Sequence, residues 1–192
     1  MDLLAMIRKG TWGEIVYWVY ANLNMFKARR GSGKEKYDRV CYMVRSKAFK
    51  SYKDGKWQIH SLYEDNILKM DWGKSHCWYC GRAVEECGKL TVEHILPKIR
   101  GGENNFDNIA YACKSCNSSK SDKDLITWMV DTNGVMPSID LICIYMKLVY
   151  NYSAEHDLMN LKFDDIEHLD LPFDYKSLNR ILEAIKNYEI KD

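Results

Sequence analysis

A mainly helical α+β fold, with one small metal-organised module set between helical flanks, is what this sequence predicts. Apolar residues recur at helical spacing towards both ends of the chain. Near residue 71 the texture changes to a stretch rich in cysteine, aromatics and glycine. Inside that stretch two short strand-like runs flank a loop of Pro, Gly and Asn. With 192 residues and 46% hydrophobic content, the chain can bury a sizeable core.

The run "EIVYWVYANLNMFKARR" places Ile15, Trp18, Val19, Asn22 and Leu23 near one face and predicts a helix ending near the "GSG" at 31–33. A second helix is expected over 34–52, with Tyr37, Cys41, Val44 and Ala48 inward and Lys47, Lys50 and Lys53 on another row. "KDGK" marks a turn at 53–56, and a third helix is expected within 61–70. "LTVEHI" and "IAYA" read as short strands around the loop "LPKIRGGENNFDN", and "KSCNSSKSDKDLITWM" as the start of a helix around Cys116. Helical patterning continues over 122–130 and breaks at Asn133-Gly134 and Pro137. Further helices are expected over 139–152 and 177–188. The implied organisation is a basic helical region 1–71, a central module 72–130 and an acidic helical region 131–192.

The formal net charge of +1 conceals an asymmetry. Residues 27–56 carry eleven Lys or Arg against three acids, whereas 151–192 carry five basic residues against ten acids. Such a chain offers a positive segment to a polyanion and an acidic segment suited to packing or a protein contact. The longest apolar run, 141–150, is interrupted by Lys147 and falls short of the roughly 18–20 residues a bilayer needs. The N-terminus lacks a secretory layout, so a soluble, cytoplasmic protein without membrane attachment is expected.

Four of the seven cysteines form two C-x-x-C pairs, Cys77 with Cys80 and Cys113 with Cys116. In a reducing compartment such pairs bind a metal more often than they form disulfides. Each tight turn presents two thiolates, and two turns complete a tetrahedron of the kind zinc prefers. Four protein ligands leave no open position, so this zinc is expected to be structural and the chemistry to lie beside it. Cys41, Cys87 and Cys143 lack such spacing and read as packing thiols. His60, His76, His156 and His168 receive no role.

Between and beside the cysteines lie "EHILP", "GGENNFDNI" and "C-x-x-C-N-x-x-K". Together these resemble the HNH endonucleases that carry a zinc site, over about residues 77–120. The resemblance implies a ββα-metal module stapled by the four-cysteine zinc site, with catalytic residues Glu93, His94, Asn108 and Asn117. His94 matches the general base that takes a proton from water, a role suited to an imidazole titrating near neutrality. Glu93 and Asn117 match the two ligands of a catalytic divalent ion. Asn108, fourteen residues after His94, matches the asparagine that holds the loop and orients the histidine. Many relatives have Asp where Glu93 stands, and the extra methylene moves the carboxylate by roughly 1.5 Å. Two oxygen donors favour Mg²⁺ or Mn²⁺ over softer ions.

The implied activity is hydrolysis of DNA phosphodiester bonds, giving 5′-phosphate and 3′-hydroxyl ends. The family works in restriction, antiviral (anti-phage) defence and mobile elements, in several cases beside a separate ATPase subunit. Lys98, Arg100 and Lys120 are candidate phosphate contacts in the module, and Lys47, Lys50 and Lys53 in the basic segment. Cutting both strands with one site per chain would call for a homodimer. Two other readings stay open: a zinc-organised nucleic-acid-binding module that does not cut, and a structural adaptor.

Overall fold

The computed structural model describes residues 10–59 and 74–187. The helix expected within 61–70 and the boundary near Asp71 lie outside the described residues. Two compact units result. Among described residues the first takes in 10–59, 149–169 and 178–187, and the second 74–148 and 170–177.

In the first unit, α1 (Trp12–Gly31) opens on a capping box: Thr11 accepts from the Glu14 N–H, and the Glu14 carboxylate accepts from the Thr11 N–H. The helix buries Trp12, Ile15, Val16, Val19, Tyr20, Leu23, Met25 and Phe26. That is more than the single face the spacing predicts, and it marks a helix covered on most sides. The Trp12 indole N–H donates to Ser153 Oγ (2.8 Å), and Gly13 lies against Met159, where a Cβ would fall 2.7 Å from the carbonyl oxygen. α2 (Arg39–Lys53) starts later than expected, because Asp38 turns extended and caps the Cys41 N–H. It packs on α1 through Trp18–Phe49 and Tyr17–Tyr52 ring contacts and an Asn24 amide that donates to Tyr52 Oη (2.9 Å). Cys41 and Ala48 are buried as expected, while Tyr37 and Val44 are half-buried.

The second unit carries the module. After the one-turn α3 (Val84–Cys87), β1 (Leu90–His94) pairs antiparallel with β2 (Ile109–Cys113), with Leu90 opposite Cys113 and His94 opposite Ile109. Between them lie 3₁₀ turns at Lys98–Arg100 and Phe106–Asn108. A lone hairpin is marginal in water; here α4 (Lys114–Lys120) packs on both strands. α4 begins directly after β2, earlier than expected, and stops at Ser121, whose φ of 51° ends the helical path. α5 (Leu125–Asn133) then starts on an Asp124 cap and ends at Gly134, φ 63°. α6 (Ile139–Glu155), the one-turn α7 (Phe163–Ile166) and α8 (Ser177–Asn187) complete the helices of the described residues.

One buried carboxylate organises this unit. Asp124 accepts from the Tyr145 hydroxyl (2.5 Å), the Ser177 hydroxyl (2.6 Å), and the N–H groups of Thr127 (2.9 Å) and Asp174 (3.1 Å). Four donors satisfy both oxygens, which is what allows a charge to be buried. Burial, followed by the Asp124 charge, pushes the Tyr145 hydroxyl well above the usual phenol range. Among the described residues no helix is long and apolar enough to cross a membrane.

Candidate active site and metal centre

The two C-x-x-C turns meet. Cys77 and Cys80 sit on a knuckle closed by the Gly81 N–H donating to Cys77 O (2.8 Å), with Gly81 at φ 71°. Cys113 ends β2 and Cys116 lies in the first turn of α4. Their four Sγ atoms fall within 4.8 Å of one another, and Cys80 lies 4.0 Å from Cys113. A tetrahedron with 2.3 Å metal–sulfur bonds has edges of about 3.8 Å, so the four thiols fit a single ion. Burial, then the neighbouring Cys77 charge, pushes the Cys116 thiol far up. Burial also acts to raise Cys80, but the Arg82 guanidinium 3.4 Å away and the Arg82 backbone outweigh it and bring that thiol to about 7. A cluster that resists its own negative charge is one that a bound cation relieves. Cys41 and Cys143 are buried and Cys87 half-buried, none of the three in a disulfide.

Next in the chain to the cysteine cluster is an open cleft of about 350 Å³, lined by Val92, Glu93, His94, Pro97, Lys98, Ile99, Asn117, Ser121 and Asp122. Three of the four predicted catalytic residues therefore share one hollow. β1 delivers Glu93 and His94 at its C-terminal end, and α4 delivers Asn117 from its middle. The Asn117 amide NH₂ donates to Thr91 Oγ1 (2.8 Å), which leaves the amide oxygen as the atom it can offer a cation.

The fourth, Asn108, lies behind the cleft, 1% exposed. It accepts from the Leu96 N–H (2.8 Å) and donates to the carbonyls of Leu96 (2.9 Å) and Glu103 (2.8 Å). These bonds hold the loop. The imidazole itself is bonded by another residue: His94 Nε2 lies 2.8 Å from Asn104 Oδ1. An amide oxygen only accepts, so Nε2 is the donor in this bond.

Glu93 is held more tightly than its place in the motif suggests. It is 6% exposed; one oxygen accepts from Lys120 Nζ (2.8 Å) and the other from the Tyr79 hydroxyl. Lys120 is wholly buried and donates also to the His94 carbonyl (2.8 Å). Burial lowers the Lys120 ammonium and raises the Tyr79 hydroxyl, the latter helped by the Glu93 charge. Lys120 is thus turned inward onto the strand rather than presented to a phosphate, which corrects the expectation for that residue. Lys98 is exposed and Arg100 half-buried, on the turn beside the cleft. On α2, Lys47 and Lys50 are exposed, but Lys53 is ion-paired with Glu14. Tyr79 and Asn104 carried no spacing signal: one is an aromatic inside a C-x-x-C, the other one of three loop asparagines.

The cysteine cage, the hairpin and this cleft fall inside a single family match. The profile of the HNH endonuclease family covers residues 77–123. This segment is similar to the HNH endonucleases. The HNH match takes in the cage, both strands, the cleft and α4. Over 170 residues the chain is 26% identical to the CRISPR-associated endonuclease Cas9 of Actinomyces naeslundii, covering 82% of this chain and 15% of that protein. The chain therefore spans less than a sixth of the length of this curated relative. No solved structure matches.

Proposed function

We propose that the chain is a divalent-metal-dependent endonuclease that hydrolyses phosphodiester bonds in DNA, with residues 72–130 as the cutting module. The observation that carries this reading is the cleft in which Glu93, His94 and Asn117 converge on a ββα frame within the HNH match. His94 is the general base: with Nε2 held by Asn104, Nδ1 takes the proton from the attacking water. Glu93 and Asn117 would hold Mg²⁺ or Mn²⁺, two oxygen donors suiting a hard ion. When bound, that ion supplies charge stabilisation at the phosphate and at the leaving 3′ oxygen. Asn108 keeps the loop, and so the end of β1, in register.

The four-cysteine cage is assigned a structural zinc, since its donors are four thiols and zinc favours such a set. The basic region 1–71, with Lys47 and Lys50 exposed, is assigned to DNA backbone contact, along with Lys98 and Arg100. The acidic region 131–192 is assigned to packing or a protein partner. The setting assigned is restriction, antiviral defence or a mobile element, with the CRISPR-associated endonuclease of Actinomyces as loose support.

Supercoiled plasmid incubated with the protein and Mg²⁺ or Mn²⁺ tests the reading. Relaxed or linear product is expected, absent with chelator and absent with His94→Ala. Intact plasmid that is nonetheless bound would favour the non-cutting zinc module.

A further inference from the structure

The cleft around His94 has apolar lips. Ile99 is 84% exposed and Val92 58%, and both line it. A single exposed isoleucine needs no explanation on most surfaces. This one sits on a backbone held in place. The N–H groups of Arg100 and Gly102 both donate to Pro97 O (3.0 Å each), and that of Gly101 to Lys98 O (3.0 Å). Gly102 presses so closely on Leu96 that a Cβ would fall 2.1 Å from its carbonyl oxygen. Asn108 grips the same Leu96 at both N–H and C=O. These bonds fix the backbone from which Ile99 projects.

Lys98 and Arg100 flank Ile99 in sequence. An apolar side chain with a basic residue on either side of it in sequence, Lys98 sharing the cleft of the candidate base, matches a polyanion that also offers stacked apolar faces. An uncharged apolar protein patch would leave both cations without counter-charges. We propose that Ile99 is a wedge that enters the base stack of a DNA duplex beside the scissile phosphate, with Lys98 and Arg100 on the flanking phosphates. The proposal rests on the nuclease reading of this cleft. Apolar side chains driven into a base step unstack and kink the duplex. Here that distortion opens the backbone at the phosphate that His94 must reach.

Two measurements test it. In the first, short duplexes carry 2-aminopurine at successive positions and are bound by His94→Ala protein, so that no cutting occurs. A fluorescence rise confined to one step is expected, and it is lost when Ile99→Ala is added but kept with Ile99→Leu. In the second, Ile99→Ala in the otherwise native chain cuts fully paired duplex about tenfold or more slowly than native protein. A mismatch at the same step restores the rate to within about twofold, because that step is already unstacked. Equal rates on paired duplex, or an equal loss on paired and mismatched duplex, overturns the wedge. So does a fluorescence rise indifferent to Ile99. If native protein cuts nothing, the nuclease reading fails, and the fluorescence result alone decides whether Ile99 is a wedge.

Discussion

At the scale of single residues, the tightest arrangement in the module is the buried pair of Lys120 and Glu93. Lys120 is wholly buried, Glu93 nearly so, and their charges meet at 2.8 Å. Removing one partner of such a pair strands the other charge and costs about 3–5 kcal/mol. Lys120→Met is therefore expected to lower stability by that order in urea unfolding, and Lys120→Met with Glu93→Gln to recover much of it. Additive losses in the double variant would mean that the two side chains do not share an ion pair. Asn104 makes a smaller, more specific claim. Asn104→Ala frees the imidazole and should slow cleavage by roughly 10- to 100-fold, the usual cost of losing a group that orients a catalytic side chain. Melting temperature and DNA binding should stay near native, because the bond it loses lies at the surface. Neither interaction was legible in the sequence. Helical spacing shows that Asn117 and Lys120 share a face of α4, but not that this face turns inward onto β1. Among the asparagines of "GGENN" and "FDN", nothing in type or spacing separates the one that bonds His94 from the one that holds Leu96.

At the scale of elements, the cage joins the knuckle at Cys77 and Cys80 to the β2–α4 junction at Cys113 and Cys116. Each piece is too short to persist alone: two five-residue strands and a seven-residue helix. On the proposed reading their order would depend on a bound ion, whose binding free energy would be folding free energy. A thiol-competent chelator should lower the melting temperature by more than about 10 °C, with Cys113→Ser reproducing the effect and cysteine-bound zinc near one equivalent in native protein. This much was legible, because C-x-x-C spacing is a local property. The basic helix α2 was legible only in part. Its three lysines look equivalent in sequence, yet Lys53 is neutralised by Glu14, a residue of another helix. Lys47→Gln with Lys50→Gln should make the log–log salt slope of DNA binding shallower by about two units, at about 0.9 per phosphate. Lys53→Gln alone should leave the slope nearly unchanged. An unchanged slope in the Lys47→Gln, Lys50→Gln variant would remove α2 from the DNA-contacting surface.

At the scale of the whole molecule, the helical class and the small two-stranded module follow from features the sequence displays openly: apolar periodicity, two glycines and three asparagines in one loop, and paired cysteines. What it does not display is how distant segments gather. Asp124 reads as a helix cap, yet it also takes hydrogens from Tyr145, Asp174 and Ser177, residues 21 to 53 positions away. Asp124→Ala removes the acceptor from four donors at once and is expected to cost on the order of 3–5 kcal/mol in thermal or urea unfolding. The covering of α1 on most sides and the late start of α2 at Asp38 have the same origin: tertiary packing and caps override the pattern of any one segment.

The central claim, that the cleft around His94 cuts DNA, is tested most directly on the product ends. A duplex is incubated with native protein and Mn²⁺, and the fragments are examined for 5′-phosphate and 3′-hydroxyl groups by religation. The account predicts fragments that a DNA ligase rejoins without prior repair, and none at all from His94→Ala protein that still binds the duplex and still carries its zinc. Fragments made equally well by His94→Ala, or no fragments from native protein that binds DNA with its metals in place, would contradict it.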